Sequence, residues 1–261
     1  MPPVKTLKQR LQAGEVVFGA TVNEYLRPSV VKAFVNAGFD FIYVENEHAA
    51  ISPPALADFV LCCLDNEMTV VAKLEQLERG DAAKLMEMGV KGLQLPRTES
   101  ADDMVTLHDY IKYPPTGSRA SATGYGNSRY AKVADKQAWY QASDEEMLLL
   151  AHIETQAGVE NLESIMAVEG VDIAFIGTSD LSLCYGQPGD YKTPAMLERM
   201  QLIFDTAEKN NVIRGMPATD YDMTKYWIDR GVQFFECVSD LDLLRSGAAK
   251  AVEQLHRARG D

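Results

Sequence analysis

Two glutamates and a histidine, Glu45, Glu47 and His48, follow directly on the apolar run Phe41-Ile42-Tyr43-Val44. Carboxylates beside an imidazole can hold a hard cation or move a proton. The pattern recurs: Lys73 ends the run 69–73, Glu154 follows the run 147–153, and Asp180 follows the run 171–177. Any one such carboxylate could be no more than a helix cap or a surface group, and residues 45–48 also fit a helix N-terminus whose acids cap amides. Together they describe one oxygen-rich site suited to Mg²⁺ or Mn²⁺. Glu154 and Asp180 are its candidate ligands, and Gly177 leaves close backbone room beside them. A single nearby imidazole, His48, suits proton transfer better than ligation. His152 lies two residues before Glu154 on the same strand face, roughly 6–7 Å deeper. It either tunes the site or is a hydrogen-bonded histidine of the interior.

These residues need elements that end together. Apolar runs at 16–22, 40–44, 69–74, 92–96, 147–154, 171–177, 212–217 and 233–238 read as strands. Between them, amphipathic stretches at 28–38, 54–66, 80–89, 101–111, 159–168, 193–209, 221–230 and 240–257 read as eight principal helices, with a short one at 7–13 before the first strand. Pro28 and Thr193-Pro194 mark helix starts, and Gly38, Gly89 and Gly231 mark ends. The stretch 113–143 breaks the rhythm and reads as a long functional or oligomeric loop. Strict alternation predicts an α/β fold, a TIM-type (β/α)8 barrel in one domain spanning 1–261, with an open doubly wound sheet as the rival. In such a barrel the strand ends converge, which brings Glu45, Glu47, His48, Lys73, Glu154 and Asp180 to one mouth.

The 261 residues are 46% hydrophobic, enough for a large core, and 25 Lys plus Arg against 38 Asp plus Glu give a net charge of −13. Such a surface repels nucleic-acid phosphates and anionic lipid, so neither is an expected partner. The four cysteines lack CxxC or zinc spacing and read as reduced thiols. Residues 1–12 carry no apolar signal core, and no run approaches the roughly 20 residues that span a bilayer, so a soluble cytoplasmic protein is expected.

Five motifs, in order and spacing, carry a family resemblance: Ala37-Gly38-Phe39-Asp40, Glu45-Asn46-Glu47-His48, Tyr113-Pro114-Pro115-Thr116-Gly117-Ser118-Arg119, Ile153-Glu154-Thr155 and Phe175-Ile176-Gly177-Thr178-Ser179-Asp180-Leu181-Ser182. The chain resembles the HpcH/HpaI family of class II pyruvate aldolases in the phosphoenolpyruvate/pyruvate barrel superfamily. The resemblance implies Glu154 and Asp180 as ligands of Mg²⁺, Mn²⁺ or Co²⁺, His48 as catalytic base and Glu45 as the acid orienting it. It implies Lys73, Gly177, Ser179 and His152 at the substrate. It also implies a homo-oligomer, hexameric or dimer-based, with the C-terminal helix packed on a neighbour. Glu45 stands where the family usually has Asp, Lys73 where it has Arg, and His152 where it has Gln.

The implied reaction is reversible cleavage of a 4-hydroxy-2-oxo acid to pyruvate, or a close 2-oxo acid, plus an aldehyde, a carbon–carbon lyase step. Two alternatives keep the barrel: decarboxylation or a related lyase step on an oxo-diacid, and 2-oxo-acid binding without turnover. A lysine at position 73 also opens a metal-independent Schiff-base route, which the surrounding carboxylates oppose by holding it protonated.

Overall fold

The computed structural model describes residues 5–218 and 220–260; the polar N-terminal stretch read above lies outside this range at residues 1–4. Chain order runs α1 (Leu7–Gln12), β1 (Val17–Val22), α2 (Pro28–Ala37), β2 (Phe41–Val44), α3 (Pro53–Asp65), β3 (Thr69–Lys73), α4 (Arg79–Met88), β4 (Gly92–Leu95) and α5 (Ala101–Ile111). A 3₁₀ turn (Gly126–Ser128) and α6 (Lys136–Glu146) precede β5 (Leu148–Ile153), α7 (Gln156–Glu160), α8 (Leu162–Met166), β6 (Ile173–Ile176) and α9 (Thr178–Cys184). The chain continues with α10 (Pro194–Lys209), β7 (Ile213–Pro217), α11 (Tyr221–Ile228), β8 (Phe234–Ser239) and α12 (Asp240–Arg259).

All eight strands are parallel, each pairs with the next, and β8 pairs back onto β1, so the sheet is a closed (β/α)8 barrel rather than an open one. Side-chain alternation divides the core in two. Outward residues such as Val22, Ile42, Val70, Leu93, Leu149 and Ile176 pack under the helices. Inward residues, among them Val17, Phe41, Val71, Leu150, Ile173 and Phe234, fill the lower barrel, and Leu7 and Leu11 of α1 stop its base. Helix starts and stops follow local chemistry. Thr193 accepts from the Met196 N–H at 3.3 Å with Pro194 next to it, and Gly38 ends α2 at φ 88°, a left-handed conformation that costs glycine little.

Closure is reinforced at the mouth. Buried Asp240, directly after β8, accepts from the backbone N–H groups of Asn23, Glu24 and Tyr25 at 3.1, 3.2 and 2.7 Å, tying the last strand to the loop beyond the first.

The helices differ from expectation in three places. The stretch 113–143 is not all loop: it contains the 3₁₀ turn and the start of α6, capped by Asp135 and anchored by Trp139 and Tyr140 against Tyr113. Its apolar period is weak because α6 buries no residue fully. The expected helix at 159–168 is two short helices, α7 and α8, with Asn161 between them. An additional helix, α9, directly follows β6 and carries Asp180 in its first turn. No described helix is long and apolar enough to cross a membrane.

Candidate active site

The site is built at the C-terminal ends of the strands. After β2 the Glu45 carboxylate folds back, and its Oε1 accepts from the backbone N–H groups of Glu47 and His48 at 3.0 and 3.2 Å. That local turn aims Glu47 inward. Lys73, at the end of β3 and only 4% exposed, sets its Nζ 2.6 Å from Glu47 Oε2 and 3.5 Å from Glu45 Oε2. Burial works to lower the Lys73 pKa, but Glu45, the Glu47 hydrogen bond and the Glu154 charge outweigh it, and the ammonium is held above its ordinary value. The imidazole of His48 has a 67% exposed side chain, and its Nε2 lies 3.3 Å from Glu47 Oε2. Glu45 thus shapes the loop through the main chain, and the acid beside the His48 ring is Glu47.

Across the mouth, Glu154 follows β5 and is 3% exposed. Its Oε1 accepts from the Arg97 N–H at 2.7 Å, a donor presented by a residue in the left-handed region at φ 47°. Its Oε2 lies 3.2 Å from His152 Nε2, so the two side chains lean together despite their separation along the strand. Burial pushes the Glu154 carboxyl up to about 7 against the opposing pull of Lys73 and the Arg97 N–H, with Asp180 adding to the rise. Burial, together with the charges of Lys73 and His48, holds His152 well below its usual pKa, so its ring is neutral. Neither ring nitrogen has a hydrogen-bond partner among the described residues. Gly177 is required here: a Cβ would stand 2.4 Å from His152 Nε2 and 2.6 Å from Glu154 Oε2. Ser179 and Asp180 are exposed on α9 at the rim. A cleft lined by Glu47, Glu75, Leu77, Pro96, Arg97 and Glu99 opens beside the mouth.

Two acidic groups could hold a cation. The ligand atoms of Glu45, Glu47 and His48 lie within 4.8 Å of one another, yet Lys73 already supplies positive charge there. Glu154 has no Lys or Arg side chain in ion-pair contact among the described residues and sits with a neutral imidazole, while Asp180 contributes a further negative field. A buried carboxyl raised in this way gains from a divalent ion, and carboxylate oxygens suit a hard one.

The structure therefore brings together Glu45, Glu47, His48 and Lys73 on one side, and Glu154, His152 and Gly177 on the other. Sequence reading missed Tyr43, Gln94 and Glu236, which lie deeper inside the barrel. The signal available was a Gln and a Glu at inward positions of otherwise apolar strands.

The family model for HpcH/HpaI aldolase/citrate lyase matches residues 24–247. Over 242 residues the chain is 25% identical to a hydroxypyruvate/pyruvate aldolase of Roseobacter denitrificans, covering 93% of each. Over 217 residues it is 27% identical to a 5-keto-4-deoxy-D-glucarate aldolase of Klebsiella pneumoniae, covering 83% of this chain and 84% of that one. The crystal structure of an HpcH/HpaI aldolase from Desulfitobacterium hafniense superimposes with a TM-score of 0.92 at 28% identity over 97% of both chains. A barrel of this form, matched over most of its length, belongs to the HpcH/HpaI aldolase/citrate lyase family.

Proposed function

We propose that this chain is a divalent-metal-dependent aldolase that reversibly cleaves a 4-hydroxy-2-oxo acid into pyruvate, or a close 2-oxo acid such as hydroxypyruvate, plus an aldehyde. The observation that carries this reading is the division of charge across the mouth: a protonated Lys73 held by Glu45 and Glu47 faces a buried Glu154 that lacks a contacting Lys or Arg. Glu154 and Asp180 would hold Mg²⁺, Mn²⁺ or Co²⁺, which when bound supplies Lewis-acid polarisation of the 2-oxo group.

The remaining work falls to side chains. In cleavage His48 takes the proton of the 4-hydroxyl, C4 becomes the aldehyde carbon, and the C3–C4 electron pair passes into the enolate of the 2-oxo acid. Glu47, 3.3 Å from the ring, stabilises the imidazolium that results. Lys73 offers a fixed positive charge to the enolate oxygen. Exposure of the His48 ring lets it exchange its proton with solvent between turnovers. His48→Ala is expected to lower kcat by at least about 10²-fold, the usual worth of a positioned base; unchanged turnover in steady-state assays would remove His48 from the mechanism.

The direct test is a panel of 4-hydroxy-2-oxo acids incubated with Mg²⁺- or Mn²⁺-loaded protein, with released pyruvate or hydroxypyruvate measured by reduction with NADH. Release from at least one compound is expected. Binding without release across the panel would favour a non-catalytic barrel, and CO₂ evolution from an oxo-diacid would favour a decarboxylase.

A homo-oligomer and a cytoplasmic location complete the proposal. Among the described residues of α12 only Asp240 is buried, while Leu244, Val252 and Leu255 are exposed. An open groove lined by Phe18, Tyr221, Ile228, Cys237 and Val238 lies over β8 and β1, where a barrel helix normally packs. The α12 helix of a second copy fits that need, the copies forming a hexamer or a dimer-based assembly. Light scattering should give a mass that is a multiple of 28.9 kDa, and Leu244→Glu with Leu255→Glu should lower it; a monomeric wild type would refute the assembly. The four cysteines are free, as a reducing compartment allows.

A further inference from the structure

Inside the barrel lies a polar layer that this reaction leaves unused. Tyr43 on β2, Gln94 on β4 and Glu236 on β8 are buried, at 2%, 0% and 8% exposure. The Tyr43 hydroxyl donates to Gln94 Oε1, and Gln94 Nε2 donates to Glu236 Oε1 at 2.8 Å. Phe175 of β6 lies at a similar depth, its ring 5.1 Å from that of His152 and 6.2 Å from that of Phe234. The lower interior is wholly apolar, with Phe41 stacked on Phe234 at 4.4 Å. Above stand Lys73 and His152, each two residues or less from the mouth. Polar groups at this depth cost stability that branched apolar side chains would not.

Glu236 is the unusual member. No Lys, Arg or His contacts its carboxyl among the described residues, although Glu45, Lys73 and Glu154 are all close enough to act on it electrostatically. Burial, followed by the Glu45 charge, holds it well above the usual carboxylate range, and the opposing effects of Lys73 and the Gln94 hydrogen bond do not restore it. Burial and the Glu45 charge both favour its protonated form. Gln94 occupies Oε1, so the proton belongs on Oε2, which accepts no hydrogen bond from the described protein. Such a carboxyl can donate one hydrogen bond and accept another, the complement of an alcohol.

Its place in the ring matters. In the closed order β6-β7-β8-β1-β2, β8 stands two strands from β6, which leads to Asp180, and two strands from β2, which leads to Glu45 and His48. Glu236 therefore underlies the space between the two halves of the mouth. A 2-oxo acid carries its charged and polarised oxygens on C1 and C2. With those directed to the Glu154–Asp180 side, C3 is the carbon left to face the opposite wall and floor.

We infer that Glu236, held by Gln94 and Tyr43, is a specificity-determining residue that exchanges hydrogen bonds with a hydroxyl on C3 of the 2-oxo acid, so that the site prefers a hydroxypyruvate-type donor to pyruvate. The inference rests on the aldolase reading for its substrate class. A methyl group in the same position would leave the buried acid unpaired, and sites built to bind a hydroxyl reject analogues that lack it.

The experiment compares wild type with Glu236→Leu and Glu236→Gln, adding hydroxypyruvate or pyruvate to one common aldehyde, and measures binding of each oxo acid to the metal-loaded protein by calorimetry. The hydroxypyruvate-to-pyruvate ratio of kcat/KM should fall at least about tenfold in Glu236→Leu. It should largely survive in Glu236→Gln, whose amide still donates and accepts. Tyr43→Phe, which removes one oxygen, should move the ratio in the same direction by a smaller amount and serves if the leucine variant does not fold. Equal losses on both donors, or an unchanged ratio, overturn the inference. If wild type turns over neither donor, the aldolase reading falls and binding decides: a preference for hydroxypyruvate that depends on Glu236 upholds the inference, and its absence defeats it.

Discussion

Glu154→Gln should lower kcat by about 10³-fold, because a metal ligand supports several kcal/mol of transition-state charge stabilisation. The substitution keeps the side chain's volume and its acceptor for the Arg97 N–H, so the barrel should stay folded. What it removes is the negative charge. The wild-type carboxyl is pushed up to about 7 by burial, so a proton competes with the cation for it. Deprotonation favours metal, and Mg²⁺ affinity measured by calorimetry should therefore rise as pH increases through that value. Chelation of the wild type should reproduce the activity loss, and Mg²⁺, Mn²⁺ or Co²⁺ should reverse it. Full turnover by metal-stripped enzyme would remove Glu154 and Asp180 from the chemistry.

Lys73→Met should cost about 10²–10³-fold in kcat, the range for deleting one preorganised group from a water-poor site. Its ammonium is 2.6 Å from Glu47 and 3.5 Å from Glu45, so its loss also leaves two carboxylates facing each other without a counter-charge. The loop that carries His48 hangs on Glu45, and part of the loss should appear as a disturbed pH profile. Lys73→Arg keeps the charge and should retain part of the activity, although a planar fork replaces a point charge. An amine held protonated does not attack a carbonyl. Borohydride treatment with pyruvate, followed by intact mass measurement, should therefore give no adduct; one mapped to Lys73 would replace the electrostatic role with a Schiff base.

Most of the architecture was legible in the chain because the relevant signals are local. Runs such as 69–74 and 171–177 are strands by their own composition, Pro28 and Thr193 start helices, and Gly38 ends one. Repetition of that unit predicts a parallel α/β fold, and the charged residues that follow the strands mark its functional end. Residues 113–143 were opaque for the same reason: α6 is held by Tyr113 and by aromatic contacts, and it buries no continuous stripe.

Tertiary structure decided whatever depends on residues far apart in the chain. Closure rests on β1 pairing with β8 and on Asp240 receiving the N–H groups of residues 23–25, contacts more than 200 positions apart. Sequence alone put Glu45, Glu47 and His48 after one strand, but only the return of β3 beside β2 sets Lys73 against both glutamates, with Glu47 next to the His48 ring. The link from Tyr43 through Gln94 to Glu236 crosses the barrel between strands that are not neighbours. A residue type and a period of two can say that a side chain points inward; what it meets there is set by closure of the ring, since a side chain's protonation and partners follow from the burial and charges that the whole barrel assembles around it.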